Sequence, residues 1–562
     1  MQKRCPSFLD AVWLRTFPLA ACLTLDASSY LRKMNNKKIQ VWLPLLFSIT
    51  MILGMYMGYK MRDNMPGKSF FSLEKRRPVQ EIMDLIKNRY VDDVKMDSLA
   101  DTAIQAMLSK LDPHSVFIPA EELQQVNEDL AGKFSGIGIE FNIFDDTLNV
   151  INVLKNGPGE KAGLLTGDKF LKVGDSLVAG RKTSADAYRK LLRGDRGSEV
   201  TITYLRNGEQ KKATLTRDAI PLSSVDASYM ITNETGYIRL NKFSSQTYRE
   251  FMQVLEALKK TGLKKLVLDL RGNGGGVLDE AIEIADEFLD GDKLITYTEG
   301  RHSDKQEYRC RRQGQFEKGA LVVLADEGTA SASEVLIGAL QDWDRATIVG
   351  RRSFGKGLVQ QQFDLSDNSA LRLTVARYYT PIGRSIQRPY TNGSKVYYDE
   401  ITNRYHDGET QHADSVKNDT TKAFKTMGGK KVYGGGGITP DYFIPLDTTG
   451  FSSNTAKIYN RNIIGNFAYH FYLQNLAMLK TFKTPGDFAK GFIFSEDNWN
   501  QFVQAAAKDS VTITSLNEKV KTDLIIRIRS SIARQLWRNE GFFETINTTD
   551  EAIKRSLEIL AK

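Results

Sequence analysis

A charge-free stretch of 19 residues, from Val41 to Tyr59, constrains the fold of this chain more than any other feature. A helix of that length crosses the hydrocarbon core of a bilayer, which is roughly 30 Å thick. Lys37 and Lys38 precede the stretch, which favours a cytoplasmic side for residues 1–40 and export of everything after residue 60. Lys60-Met-Arg-Asp follows directly in place of a small-residue cleavage site, so we expect an uncleaved anchor at 41–59. A buried core helix is the alternative.

Residues 1–33 are unusual ahead of such a segment. Asp10 and Arg15 interrupt what would otherwise be an earlier apolar run, and Leu19-Ala-Ala-Cys22 resembles a bacterial lipoprotein box with a short apolar stretch. We therefore hypothesise that translation begins at Met34, which would leave residues 1–33 untranslated.

Length and composition bound the rest of the chain. A chain of 562 residues exceeds one hydrophobic core and predicts three or four domains of about 100–200 residues. The net charge of +9 is spread without a long basic run, which argues against a nucleic-acid partner. Only Cys310 follows the apolar stretch, so no disulfide framework is expected there, and the absence of CxxC and Cys/His clusters gives no reason to expect a metal or other cofactor.

The pattern of apolar and polar residues changes along the chain. Apolar residues at helical spacing predict a helical segment over 72–130. Residues 132–221 alternate apolar and polar positions between glycine turns, which predicts a small β domain. Gly136-Ile137-Gly138-Ile139 and the later Gly167-Asp-Lys-Phe170 are similar to the signature stretches of a PDZ domain, whose loop N–H groups receive a peptide carboxylate.

Residues 222–447 alternate buried strands with amphipathic helices, which predicts an α/β core. Within it, the polar stretch 392–431 is interpreted as a loose insertion. Residues 448–562 are predicted to be helical, and their sequence indicates no function. The fold class predicted is a multidomain α+β protein with an N-terminal membrane helix, a helical segment, a PDZ-like domain, an α/β core and a C-terminal helical extension.

Ser331 follows a buried strand and begins an apolar-periodic helix, Val335 to Leu340. Such a position exposes a side chain beside free backbone N–H groups, so Ser331 is a candidate nucleophile and the N–H of Ala332 a candidate oxyanion donor. The alternative is an ordinary N-cap serine, a role that Ser333 with Glu334 fits at least as well.

Lys356 lies in a glycine turn, Phe354-Gly-Lys-Gly-Leu358. A lysine becomes a base near neutral pH only if burial lowers its pKa from about 10.4, at a cost of roughly 3–5 kcal/mol. Gln360 lies on the same face four residues later if the segment is extended, and its carboxamide could orient the amine. An exposed lysine in a turn is the alternative. The five histidines belong to no recognisable nucleophile motif, although spacing does not exclude distant convergence.

A second glycine run, Asp269-Leu-Arg-Gly-Asn-Gly-Gly-Gly276, follows a strand and opens a helix. It lacks GxGxxG spacing, and Gly350 to Lys356 lacks the Ser/Thr of a phosphate-binding loop, so a nucleotide site is disfavoured. We interpret Gly274–Gly276 as a turn that offers N–H donors to an oxyanion and a backbone edge to an extended substrate.

The run Asp269–Gly276, then Ala330-Ser-Ala-Ser-Glu334, then Phe354–Gln360 resemble the three core motifs of the carboxyl-terminal processing peptidases, also called tail-specific proteases. The resemblance covers about residues 75–447. It implies Ser331 as nucleophile, Lys356 as general base, Gln360 as orienting residue, and Gly275 with Ala332 as oxyanion donors. It also implies Gly136, Ile137, Gly138 and Ile139 as the peptide-binding loop.

These features together predict a serine endopeptidase that cleaves proteins near unstructured C-termini. We expect it to be a single-pass protein of the bacterial inner membrane, held by residues 41–59, with its catalytic part in the periplasm. A homo-oligomer or an adaptor is a further hypothesis. A non-catalytic PDZ-type scaffold is the leading alternative, and a nucleotide hydrolase the next.

Overall fold

The computed structural model of the chain describes residues 36–63, 78–144, 146–416, 420–450, 452–513 and 516–562. The hypothesis on residues 1–33 and the Cys22 motif lie outside the described residues. The chain divides into two units, the first ending at Leu99 and the second running from Ala100 to Lys562.

The first unit contains the apolar helix α1 (Asn36–Asp63) and helix α2 (Pro78–Arg89). Within α1, Val41–Lys60 is long and apolar enough to cross a membrane, and none of that span is buried by protein. The expected apolar helix is therefore present. Helix α3 (Met96–Leu108) crosses the division between the two units.

The PDZ-like part of the second unit is a small sheet in the order β3-β4-β5-β7-β8, with β6 paired to β5, and a separate ribbon of β2 with β9. Its core includes Leu148, Phe170 and Ile202, which are fully buried. The elements are β2 (Lys133–Gly136), β3 (Ile139–Phe144), β4 (Thr147–Val153), α5 (Pro158–Lys161), β5 (Lys169–Val173), β6 (Ser176–Leu177), α6 (Ala185–Leu192), β7 (Glu199–Arg206), β8 (Glu209–Thr216) and β9 (Asp218–Pro221); helix α4 (Ala120–Ala131) precedes them.

The α/β core is built on a six-stranded sheet in the order β10-β11-β12-β15-β16-β21. The strands from β11 onward are parallel to their neighbours, and β10 is antiparallel at the edge. The strands and the three helices of one face are β10 (Val225–Met230), β11 (Thr235–Leu240), α7 (Thr247–Lys260), β12 (Lys265–Asp269), α8 (Leu278–Asp286), β15 (Ala320–Ala325), α9 (Ala332–Asp342), β16 (Thr347–Gly350) and β21 (Tyr442–Phe443). The carboxyl ends of β12 and β15 lie side by side, which brings the glycine run and the Ser331 turn together.

A second sheet places β1 in the order β1-β18-β13-β14, with β17 also paired to β18. Its strands are β1 (Val116–Ile118), β13 (Leu294–Gly300), β14 (Ser303–Arg309), β17 (Leu358–Asp364) and β18 (Ala370–Tyr379). Residues 116–118 were expected within a helical segment, but they pair with Arg372 to Ala370, a long-range contact that local periodicity does not reveal. The stretch 392–431, interpreted as a loose insertion, contains helix α10 (Ser394–His406) and the ribbon β19 (Ala423–Lys425) with β20 (Lys431–Tyr433).

The C-terminal helices form a separate aromatic-rich core around Phe467, Phe488 and Phe502. They are α11 (Ser453–Asn460), α12 (Ile463–Gln474), α13 (Leu476–Leu479), α14 (Pro485–Gly491), α15 (Glu496–Lys508), α16 (Glu518–Ile546) and α17 (Glu551–Ala561). Helix α17 belongs to the α/β core, because Ile553 and Leu560 pack on Val267 and Val322 of the central sheet. The described residues thus combine helices and sheets in several parts, as the predicted fold class requires.

Candidate active site

Ser331 occupies a strained turn between strand β15 and helix α9. Its φ of 56° and ψ of −118° lie outside the regions that side-chain-bearing residues ordinarily occupy, at a cost of about 1–3 kcal/mol. One main-chain and one side-chain hydrogen bond hold the turn: the main-chain carbonyl of Asn273 accepts from the Ala330 N–H at 3.0 Å, and Thr329 Oγ1 donates to the Leu270 carbonyl at 2.9 Å. The turn presents the Ser331 side chain at the N-terminus of a fully buried helix.

Glu334 is a buried carboxylate that ties this turn to the lysine turn. Its Oε2 accepts from the backbone N–H groups of Ser331 at 2.9 Å and Lys356 at 2.8 Å. Its Oε1 accepts from the Gly355 N–H at 2.7 Å and from Ser353 Oγ at 2.6 Å. Burial raises the pKa of Glu334, and these donors oppose that rise by favouring the charged form.

Tyr378 links the same two turns a second time. Its hydroxyl donates to the Lys356 carbonyl at 2.5 Å and lies 3.2 Å from the Ser331 carbonyl. Burial holds its pKa well above the ordinary value, so the phenol stays protonated and remains a donor. Ser331 and Lys356 are therefore joined through their main chains by a carboxylate on one side and a phenol on the other.

Lys356 is withdrawn from solvent. Desolvation lowers the pKa of its amine, and the charge of Arg372 lowers it further, while Glu334 and Asp112 oppose the shift. The flanking glycines are required by packing: a Cβ on Gly355 would lie 3.0 Å from the Gly437 nitrogen, and Gly355 has a φ of 90°. The environment therefore shifts the amine toward the neutral form that a lysine base needs.

Gln360 lies on β17, where its Nε2 is 3.4 Å from Thr374 Oγ1 on β18. Among the hydrogen bonds of the described residues, none joins Gln360 to Lys356. Its orienting role stays a prediction.

The glycine run approaches Ser331 closely. Asp269 anchors it by pairing with Arg239 and Arg271 at 2.8 and 2.7 Å. A Cβ built on Gly275 would lie 2.8 Å from both the Ala332 nitrogen and the Ser331 Cβ, so only glycine fits this approach.

The two predicted oxyanion donors differ in their present partners. Within the described part of the chain, the Ala332 N–H makes no hydrogen bond and is free to donate. The Gly275 N–H instead donates to Asn273 Oδ1 at 2.9 Å, so it must leave or share that bond before it can serve an oxyanion.

Sequence reasoning missed a histidine beside the lysine. In the loop Asp112 to Ser115, Asp112 Oδ1 accepts from the backbone N–H groups of His114 and Ser115, and His114 Nε2 lies 2.9 Å from the Tyr397 hydroxyl. Burial and the charge of Lys356 lower the pKa of His114 to about 4, so the ring is neutral near pH 7. The sequence Asp112-Pro-His-Ser115 is typical of a turn, but the approach of this loop to Lys356 depends on the pairing of β1 with β18.

The PDZ-like loop has the features of a carboxylate receptor. Gly138 has a φ of 70°, and the carbonyls of Ile137 and Gly138 are taken by Gly159 and Leu154. The N–H groups of Ile137 and Gly138 make no hydrogen bond to any residue that the structure describes. Strand β3, which follows at Ile139, is at the edge of its sheet and is open to pairing with a peptide.

Family comparisons match most of the chain. A model of peptidase family S41 matches residues 234–394, and a PDZ domain model matches 135–216. The N-terminal domain of the activating protease CtpB matches 55–122, and a family of unknown function (DUF8443) matches 455–538.

Curated relatives extend these matches. A carboxy-terminal-processing protease of Bartonella bacilliformis is 36% identical over 313 residues, which are 55% of this chain and 71% of that protein. A probable CtpA-like serine protease of Staphylococcus epidermidis is 33% identical over 358 residues, 61% of this chain and 72% of its own length. The solved photosystem II D1 C-terminal processing protease is 28% identical, with a TM-score of 0.34, and the match covers 66% of this chain and 87% of that one.

The chain belongs to the carboxy-terminal-processing protease family of S41 serine peptidases and contains a PDZ domain. The resemblance predicted from the three motifs is confirmed. The family of unknown function matches part of the C-terminal helices, residues 455–538.

Proposed function

We propose that this protein is a membrane-anchored endopeptidase in which Ser331 is the nucleophile and Lys356 the general base, and that it cleaves proteins near unstructured C-termini. The observation that carries this proposal is the double link between the two turns, through Glu334 and Tyr378, around a desolvated lysine. An accidental surface lysine would need none of these contacts.

The proposed reaction follows from those groups. Neutral Lys356 takes the proton of Ser331 Oγ as the oxygen attacks the peptide carbonyl. The oxyanion accepts a hydrogen bond from the Ala332 N–H. It accepts a second from the Gly275 N–H once the bond of that N–H to Asn273 Oδ1 is broken. The protonated lysine then gives its proton to the departing amine, and water hydrolyses the acyl-enzyme with Lys356 again as base. We propose that Gln360 orients the amine in this cycle.

The PDZ domain supplies the proposed recognition of C-termini. The free N–H groups of Ile137 and Gly138 suit a terminal carboxylate, and the open edge of β3 beginning at Ile139 suits an added strand. Gly136 leads into this loop, and a side chain on it would meet Phe134 at 2.8 Å.

The decisive experiment compares cleavage with binding. We expect Ser331→Ala to abolish cleavage of a disordered tail while tail binding persists. Binding without turnover by the unaltered protein would instead identify a non-catalytic PDZ-type scaffold. The Ser245→Ala variant, at an exposed serine outside the site, is the matched control.

We further propose that Val41–Tyr59 anchors the protein in the bacterial inner membrane, with the catalytic part in the periplasm. The support is the length and apolar character of helix α1, features that a signal sequence shares. Fractionation followed by sequencing of the mature N-terminus separates these cases, because a protein beginning after residue 60 in the soluble fraction would contradict the anchor. Assembly as a homo-oligomer or with an adaptor stays a prediction.

A further inference from the structure

A cavity of about 910 Å³ lies where the PDZ domain, the α/β core and the C-terminal helices meet. The PDZ side contributes the loop Gly136–Ile139 and residues of β3 and α6. The core contributes Asn241 and Lys242, and the C-terminal helices contribute Arg534 and the run 537–540. The peptide groove expected from the PDZ domain alone therefore has a second wall in this protein.

That wall is built by a break in helix α16. Trp537 and Arg538 have non-helical dihedrals, with φ of −130° and 58°. The chain turns back so tightly that a Cβ on Gly541 would lie 2.7 Å from the Ala533 carbonyl oxygen. Backbone strain of this kind persists only where surrounding contacts maintain it.

Contacts on both sides of the break fix it beside the groove. Arg538 Nη2 lies 2.5 Å from Glu140 Oε1 on β3, and Asn539 Nδ2 donates to Asp226 Oδ1 of the core at 2.6 Å. Further along β3, Phe144 stacks on Tyr469 with ring centroids 4.9 Å apart. The break is thus placed against the strand on which a bound tail would lie.

The charges around the cavity favour an anionic ligand. Of the five basic residues in its lining, three are paired with carboxylates (Arg189 with Asp186, Arg193 with Glu128, Arg538 with Glu140), which leaves Arg534 and Lys242 facing Glu540, an acid with no basic partner among the described residues. Glu140 is already paired with Arg538, and Asp226 with Asn539 and Asn241. In the described ranges of the chain, Arg534 and Lys242 have no acidic partner.

We propose that the C-terminal helices complete the peptide site and that Arg534, with Lys242, selects tails carrying Asp or Glu upstream of the C-terminal residue. This inference rests on the proposed function, because it requires the PDZ loop to hold the terminal carboxylate. A tail paired antiparallel to β3 advances about 3.4 Å per residue, so with its last residue beside Ile139 an acid two to four residues before the end lies beside Phe141 to Ile143, on the strand that Arg538 contacts at Glu140.

The position of Lys242 extends the same path toward the active site. The next residue, Phe243, pairs with the glycine run, since its N–H donates to the Gly275 carbonyl at 2.9 Å and its carbonyl accepts from Val277 at 2.8 Å. The chain therefore runs directly from the cavity lining at Lys242 to the glycine run beside Ser331.

The test uses the full chain with Ser331→Ala, so that bound peptides stay intact. Three fluorescent peptides share the same apolar C-terminal residue and differ only in carrying Glu, Gln or Lys three residues before the end. Fluorescence anisotropy measures the Kd of each peptide. We expect the Glu tail to bind about 3- to 10-fold more tightly than the Gln tail and the Lys tail to bind most weakly, as for a partly exposed charge pair. Arg534→Gln should reduce the Glu preference below about twofold, and Arg534→Lys should retain part of it.

Arg527→Gln is the matched control, because Arg527 is an exposed arginine on the same helix that does not line the cavity. Equal Kd values for the Glu and Gln tails, or an equal loss of preference in the Arg527 variant, would overturn the inference. Peptides with an amidated C-terminus distinguish failure of the proposed PDZ recognition from failure of the acidic selectivity. If amidation leaves Kd unchanged, the PDZ domain does not recognise the terminal carboxylate. If binding needs the free carboxylate but shows no preference for Glu, only the acidic selectivity is refuted.

Discussion

The catalytic turns and the peptide cavity are held together in different ways. At the catalytic turns, buried hydrogen bonds from Glu334 and Tyr378 fix the main chains of Ser331 and Lys356 from two directions. Beside the cavity, the contacts between the PDZ domain and the C-terminal helices include a partly exposed ion pair, Arg538 with Glu140, and the stack of Phe144 on Tyr469. Buried bonds to a charged group contribute more than exposed ion pairs, so the first region is rigid and the second is adaptable. Chemistry demands fixed atoms, whereas recognition of varied tails tolerates movement.

The largest expected effect tests the base at the rigid site. Lys356→Met should reduce kcat/KM for a disordered tail by about 10³-fold or more, because the apolar side chain fills the same space without a lone pair. Lys356→Arg should be equally inactive, since a guanidinium stays protonated. Activity in the Arg variant would show that only the positive charge is needed, and unchanged circular dichroism would exclude unfolding.

Glu334→Gln tests the rigid site, because it weakens the hydrogen bonds that link the Ser331 and Lys356 turns while it conserves the size and shape of the side chain. All four partners of the carboxylate are donors, so the amide NH₂ faces two of them and both bonds are lost. We expect kcat to fall about 10- to 100-fold and unfolding to become easier by about 2–4 kcal/mol. Tail binding should be unchanged. A kcat within twofold of the unaltered protein would show that Glu334 does not hold the catalytic geometry.

The pH profile should respond to Arg372. Its charge disfavours the protonated form of Lys356 and so lowers the pKa of the amine. Arg372→Gln removes that repulsion, the pKa rises, and the acid limb of kcat/KM moves to higher pH. Arg377→Gln on the same strand is the control, because Arg377 is exposed and is bonded to Tyr390 instead. A shift to lower pH, or an equal shift in both variants, would contradict this account of the lysine.

The smallest effect is expected at the adaptable site. Tyr469→Ala removes the stack on Phe144 that holds the end of β3 against the C-terminal helices, so KM should rise about two- to fivefold while kcat is unchanged. Tyr459→Ala, at a half-exposed tyrosine outside the cavity, should change neither. A fall in kcat would mean that this contact also reaches the catalytic turns.

Local patterns predicted the elements that carry the chemistry and missed the contacts between them. Helix α9 begins at Ala332, and its N-cap residue is Ser331 and not the alternative, Ser333. Glu334 appeared only as the partner of a capping serine, because its bonds to Gly355 and Lys356 join residues more than 20 positions apart. Periodicity reports which face of an element is buried and says nothing of which distant loop meets it.

The same limit applied to the C-terminal helices. Their apolar spacing predicted helices, but the packing of Ile553 on the central sheet and the break at Trp537 depend on partners elsewhere in the chain. The pairing of the PDZ groove with residues near Arg538 could not be inferred from either segment alone.

Because a single carboxylate binds the main chain at both Ser331 and Lys356, the separation of nucleophile and base is independent of the segment that connects them. That segment leaves helix α9 at Asp342 and turns through Asp344 before it enters β16. Lengthening this turn, for instance to insert an epitope tag, should leave catalysis intact as long as both ends still reach Glu334.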